Sequence, residues 1–267
     1  MTFRAFLCAL ALAVGGPVSA QDNAIRVYAA GSLRGAMTEI AQAFTAAGGP
    51  AVLPTFGASG LLRERIEKGE GADVFTSADI GHAQTLALAG RASGPVVFAR
   101  NRLCALVAPD VVATSDTLLD RMLDPRVKLG TSTPKADPSG DYAWLLFEKA
   151  DRLRPGSFAT LDRKAMKLTG GPDSPAPPPG RSVYGMLIAE RKADIFLTYC
   201  TNAVEAAREV AGARVVTIPD PLAVGANYAF TVMNSARPGA ERFGLFVMSL
   251  QGQETLTRYG FTSVGSP

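Results

Sequence analysis

The sequence predicts an α/β protein made of two similar halves around largely parallel sheets. Three observations carry this. Apolar, strand-like runs alternate with stretches of helical periodicity from residue 24 almost to the C-terminus. The same kind of strand-to-helix turn, small residues carrying a serine, occurs three times: Tyr28-Ala29-Ala30-Gly31-Ser32-Leu33, Phe56-Gly57-Ala58-Ser59-Gly60-Leu61 and Pro138-Ser139-Gly140-Asp141-Tyr142. The rhythm then begins a second round near residue 101. Such alternation implies right-handed crossovers and a ligand crevice at the carboxyl ends of the strands.

The first segment is a leader. Arg4 precedes the apolar run Phe6 to Val14, then Gly15-Gly16-Pro17 and the small-residue site Val18-Ser19-Ala20. This is the pattern of a cleavable secretory signal peptide over residues 1–20. The run is too short for a membrane span, which needs about 20 apolar residues. The mature chain is therefore expected in the periplasm.

In the first half, Ala24 to Ala29 reads as a strand. Leu33 to Ala46 reads as a helix with Ala36, Met37, Ile40 and Phe44 on one face. Ala51 to Phe56 is a second strand, followed by a helix from Leu61 to Glu67. Asp73 to Ser77 is a third strand, entering a helix at Gly81 to Ala89. In the second half, strands are expected at Leu103 to Val107 and Val127 to Thr131, with a helix over Tyr142 to Ala150. Gly170 to Gly180 holds five prolines and reads as a surface loop. A helix over Ser182 to Arg191, a strand over Ala193 to Tyr199 and a helix over Asn202 to Val210 follow. The chain closes with strands at Val215 to Ile218 and Tyr228 to Val232 and a helix from Ala240 to Gln251. If the last strand and helix return to the first half, the chain crosses between lobes twice. Lobe 1 is then residues 21–100 plus 226–267, lobe 2 is residues 101–225, and the site lies in the cleft.

Composition narrows the function. The formal charge is +3 over 267 residues and the basic residues are scattered, which argues against a nucleic-acid surface. Beyond the leader only Cys104 and Cys200 remain; in an oxidising compartment they either pair or stay as two buried thiols. His82 is the sole histidine, on a surface helix, so a histidine-based triad or a metal site has no support. Gly57-Ala58-Ser59-Gly60-Leu61 also lacks the second glycine of a nucleophile elbow. The chain is not expected to be an enzyme, and a secreted enzyme is the weaker alternative.

Each serine, at the start of a helix, has two readings. It caps the helix, or it joins the unpaired N–H groups and positive dipole end in holding an anion. Arg34, Arg63 and Arg65 read as solvated helix faces, Trp144 as packing, and Tyr199 as either a core rim residue or part of the site.

Several phrases resemble the periplasmic molybdate-binding proteins, the solute receptors of molybdate ABC importers. These are Tyr28 to Leu33, Phe56 to Ser59, Ala72-Asp73-Val74-Phe75-Thr76-Ser77-Ala78-Asp79, Leu103 to Pro109, Pro138 to Ala143, Ala193 to Tyr199 and Arg258-Tyr259-Gly260-Phe261. The resemblance implies a type II periplasmic binding fold, two α/β lobes joined by a hinge, that holds one tetrahedral oxyanion (molybdate, or tungstate) without cofactor or metal. It also implies a monomer that delivers its ligand to a membrane permease. The family's binding positions fall on Ser32 and Ser59 in the first lobe, and on Ser139, Arg181 and Tyr199 in the second.

Two departures stand out. Arg181 occupies a place where the family usually has a small apolar residue binding through its backbone; an arginine there either pairs with a carboxylate, phosphate, sulfate or larger anion, or points to solvent while its N–H alone binds. Ser139 replaces a common alanine, with Asp137 and Asp141 beside it. Their charge disfavours an anion unless they point away or are paired.

Overall fold

The computed structural model describes residues 23–174, 177–178 and 180–264. The leader expected at residues 1–20 lies outside them. Among the described residues, no helix is long and apolar enough to cross a membrane.

The chain runs β1 (Ile25–Ala30), α1 (Arg34–Ala46), β2 (Val52–Gly57), α2 (Ser59–Glu67), β3 (Val74–Ser77), α3 (Ile80–Leu88), β4 (Val96–Val107), α4 (Leu118–Leu123), β5 (Leu129–Ser132) and α5 (Pro138–Leu153). It continues through α6 (Ser157–Lys164), β6 (Met166–Thr169), α7 (Val183–Ala189), β7 (Ile195–Tyr199), α8 (Cys200–Glu209), β8 (Arg214–Thr217), β9 (Gly225–Val232), α9 (Ala240–Met248), α10 (Leu250–Arg258) and β10 (Thr262–Ser263). The strand order is β2-β1-β3-β9-β4-β7-β5-β6, with β8 and β10 also on β4.

Two α/β lobes share this sheet. In the first, β2, β1 and β3 are parallel, and β9 closes antiparallel against β3. In the second, β6, β5 and β7 are parallel. The long strand β4 belongs to both. Its residues 96–102 pair with β9, while Leu103 to Val107 pair with β7 and β8. The expected strand Leu103 to Val107 is therefore only the second half of a 12-residue strand. Its charged first half (Arg100, Arg102) hid the continuation, because exposed, charged positions break the apolar run.

The helices form where the sequence puts an apolar stripe. On α1, Ala36, Met37, Ile40, Ala41 and Phe44 are buried, each large one contributing about 1.5–3 kcal/mol on leaving water. Phe44 packs edge-on against Phe243 and Phe246, so the C-terminal helices return to the first lobe. The helix expected over Ala240 to Gln251 is two helices. Ser249 ends α9 in an extended conformation and caps α10 by accepting from the Gly252 N–H at 3.2 Å. Helices α4 and α6 and strand β6 were not foreseen, being short and weakly patterned.

Cys104 and Cys200 form a disulfide with Cα atoms 4.8 Å apart. It ties β4 to the first residue of α8, directly after Tyr199, and closes a chain segment spanning 96 positions. By loop entropy, a bridge of that span is worth roughly 4–5 kcal/mol.

Candidate functional site

The two lobes meet with a cavity of about 390 Å³ between them. The register of the first sheet explains one wall. Ala30 lies opposite Gly57 across β1 and β2, so the turns that follow present Ser32 and Ser59 side by side at the carboxyl edge. Both line the cavity. Gly31 and Ala58 beside them are small enough to leave this edge open.

Neither serine caps its helix. Ser32 sits in a single 3-10 turn, Gly31–Leu33, and its hydroxyl lies 2.8 Å from the Tyr228 hydroxyl. Ser59 is the first residue of α2, whose N-cap, Ala58, makes no side-chain cap. The buried Ser59 Oγ instead accepts from the Ala78 N–H at 3.1 Å, locking the turn after β3 to the turn after β2.

The second lobe supplies the facing wall from the ends of β6 and β7 and the start of α5 and α7. Tyr199 ends β7, is 2 % exposed and lines the cavity. Its hydroxyl is buried and has no hydrogen-bond partner among the described residues. Burial pushes this phenol well above its ordinary pKa, with the Tyr228, Asp137 and Tyr142 charges adding to the shift, so it keeps its proton and can donate at neutral pH. An orphaned donor of this kind costs about 1–3 kcal/mol unless something accepts from it. Its ring stacks edge-on with Tyr228, and Tyr228 in turn with Phe261. The aromatic column fixes the hydroxyl in place.

Ser139 is not in the cavity wall. It is fully buried at the second position of α5, and its hydroxyl donates to Ser132 Oγ at 2.7 Å. The residue that reaches the cavity from this turn is Asp137, the N-cap of α5, whose Oδ1 accepts from the Ser139 N–H at 3.0 Å. Asp141 turns away and accepts from the Lys135 N–H at 2.8 Å.

Arg181 lines the mouth, but its groups are engaged elsewhere. Its guanidinium pairs with Glu209 at 3.0 Å and is half exposed, and its N–H donates to the Pro178 carbonyl at 3.1 Å. The helix that follows begins one residue later than expected: Ser182 caps it through the Gly185 N–H, and Val183 is its first residue. Arg34, at the start of α1, lies over the Phe56 ring at 4.6 Å on the other side of the mouth. Sequence reasoning missed Tyr184, Asn202 and Thr169 in the wall. The signal for Tyr184 was its place two residues after a helix-capping serine; the other two carried none.

Two hydrogen bonds join the lobes at the cavity's flank. The Gly60 N–H donates to the Ala136 carbonyl at 2.9 Å. The Tyr142 hydroxyl donates to Asp79 Oδ2 at 3.0 Å. A Cβ on Gly60 would lie 2.3 Å from the Lys135 carbonyl oxygen, so this approach requires glycine. Next to it, His82 is held below its ordinary pKa chiefly by burial. No group of three or more His, Cys, Asp or Glu among the described residues is arranged to hold a metal.

A cavity between two lobes joined by paired crossings, walled by strand ends and helix starts, is a device for enclosing a small polar solute. The family model described as bacterial extracellular solute-binding protein matches residues 25–262. The chain belongs to that family. Among curated relatives, this solute-binding protein is 39 % identical over 211 residues to an uncharacterised protein of Pasteurella multocida, covering 78 % of this chain and 87 % of that one. It is 27 % identical over 266 residues to the molybdate-binding protein ModA of Escherichia coli, covering 95 % of each. Among solved structures, the sulfate-binding protein SubI of Mycobacterium tuberculosis superposes with a TM-score of 0.73 at 17 % identity, over 91 % of this chain and 88 % of that one. The α/β fold of periplasmic binding proteins is thereby shared.

Proposed function

We propose that this solute-binding protein is the periplasmic receptor of an ABC importer and encloses one tetrahedral oxyanion, molybdate or tungstate, between its lobes. The observation that carries this reading is the buried Tyr199 hydroxyl, without a hydrogen-bond partner among the described residues, in the same cavity wall as Ser32 and Ser59. Tetrahedral anions accept several hydrogen bonds at once, and fixed hydroxyl and N–H dipoles replace their hydration shell without a cation. The full-length similarity to a molybdate-binding protein supports the choice of anion.

Ser32, Ser59 and Tyr199 are the proposed ligand contacts. Ser139 acts behind them, holding the turn that presents Asp137. Arg181 shapes the mouth; an anion seated on its guanidinium would first have to displace Glu209. The hinge lies where β4 changes partners, near residues 100–103, and where β9 begins, near residue 225. Residues 1–20 act as the export signal, no cofactor is needed, and the chain works as a monomer, its closed form docking on a membrane permease by population shift.

The test is calorimetric titration of the purified mature chain with molybdate, tungstate, sulfate and phosphate. Saturable heat with the first two is expected. Heat with sulfate or phosphate alone would replace the molybdate reading by that of another oxyanion, and no heat with any would sink the receptor reading.

A further inference from the structure

Asp137 is a carboxylate in the wall of a cavity lined mostly by hydroxyl-bearing and small residues, with Glu205 as a second carboxylate in the lining. It lines the cavity and is partly exposed to it. Oδ1 is committed to capping α5 through the Ser139 N–H at 3.0 Å. Its other oxygen, Oδ2, packs at Gly170, where a Cβ would lie 2.6 Å from it. That glycine has φ +76°, a conformation that itself favours glycine, and it lets the β6 turn close on the carboxyl.

Among the described residues no cation pairs with this carboxyl. None of the ion pairs includes it, Arg181 is turned to Glu209, and Arg34 sits over Phe56 across the mouth. The groups that act on it are Ser132 from β5, Ser139 and, through its charge alone, Asp141 from α5, Tyr184 from α7, Tyr199 from β7 and Tyr228 from β9, while Glu205 of α8 lines the same cavity. All are neutral donors or like-charged. Burial holds the Asp137 carboxyl above the ordinary carboxylate range, the Ser139 N–H opposing this. The charge of Asp137 in turn raises Tyr184, Tyr199 and Tyr228, so the carboxyl and the orphaned Tyr199 donor act on one small volume.

An oxyanion and an ionised carboxylate enclosed in one small cavity repel unless a proton lies between them. We infer that the site takes up its oxyanion together with one proton, held in the hydrogen bond between Asp137 and the ligand. Asp137 is thereby a specificity-determining residue. A monohydrogen anion such as phosphate near neutrality brings the proton on its own oxygen. A proton-free anion such as molybdate binds only as the carboxyl takes a proton from solvent. This rests on the receptor reading above and adds the protonation state of the complex.

The experiment is calorimetric titration of the mature protein at pH 6.5 and pH 8.0, each in two buffers of different ionisation heat, with molybdate and with phosphate as probes. Uptake of one proton per molybdate is expected, with Kd weakening about tenfold per pH unit above the carboxyl's own pKa. Phosphate is expected to bind with less uptake at the higher pH. D137N keeps the cap, since asparagine caps as well as aspartate, and is expected to abolish both the uptake and the pH slope for molybdate. D137S, which also caps, serves should the amide variant fail to fold. Molybdate binding with no proton uptake and the same Kd at both pH values would overturn the proposal while leaving the receptor reading intact. So would an unchanged slope in D137N. Absence of binding by the wild type at either pH overturns the receptor reading itself.

Discussion

On the proposed reading Tyr199 and Asp137 set the chemistry of the cavity, and the variants that probe them separate binding from folding. Tyr199→Phe removes a hydroxyl that has no hydrogen-bond partner among the described residues, so thermal stability without ligand is expected to stay level or rise slightly. Affinity for the anion is expected to fall roughly tenfold or more, since a hydrogen bond to a charged group is worth about 1.5–3 kcal/mol. Calorimetry and a melting curve on the same sample check both halves. A stability loss with unchanged affinity would return Tyr199 to a core rim role. Asp137 gives a second handle through pH. Its carboxyl is raised in the folded state, so the native chain holds more protons than the unfolded one from the ordinary carboxylate pKa upward. Stability without ligand therefore falls as pH rises through that window and levels off above the raised pKa. Much of this scale was legible in the sequence: Ser32, Ser59 and Tyr199 stand at strand ends, where the parallel rhythm places a crevice. Asp137 could be noted as a charge near Ser139, but not as the residue that replaces it in the wall. That depended on Pro138 and Ser139 entering the helix and leaving the aspartate as its cap. The pairing of Arg181 with Glu209, 28 positions away, had no local trace.

At the scale of elements, the start of α2 does two things. Ser59 pins the turn after β3, and Gly60 lets the opposite lobe close on the helix. Gly60→Val would place side-chain atoms against the Lys135 and Ala136 carbonyls, 2.3 and 2.7 Å from its Cβ. The clash lies in backbone of the other lobe and cannot be relieved by a rotamer change. The variant is expected to fold, to bind at least tenfold more weakly, and to show no contraction in small-angle scattering on adding ligand. A normal contraction would show that the lobes close by another path. The elements themselves followed from pattern wherever the apolar stripe was long, as in α1, α5 and β7. They were misjudged where tertiary context decided: the exposed first half of β4, the break at Ser249 and the short β6. The disulfide was open from sequence because pairing needs geometry. The fold places Cys104 opposite Thr198 on the neighbouring strand, two residues before Cys200.

At the scale of the whole molecule, the two lobes share β4, and on the proposed reading they hinge there so that closure buries Ser32, Ser59 and Tyr199 together. The aromatic column from Tyr142 through Tyr199 and Tyr228 to Phe261 runs across this junction, so ligand-driven ordering at Tyr199 reaches both lobes. A ligand that binds only the folded, closed form must raise its stability, by about 2.7 kcal/mol at a hundred times Kd. For a chain of this size that corresponds to about 5–10 °C. The most direct measurement is the melting temperature of the mature protein with and without saturating molybdate. A rise of that order, reduced in Tyr199→Phe, is the predicted result; a melting temperature unmoved by molybdate and tungstate would contradict the account.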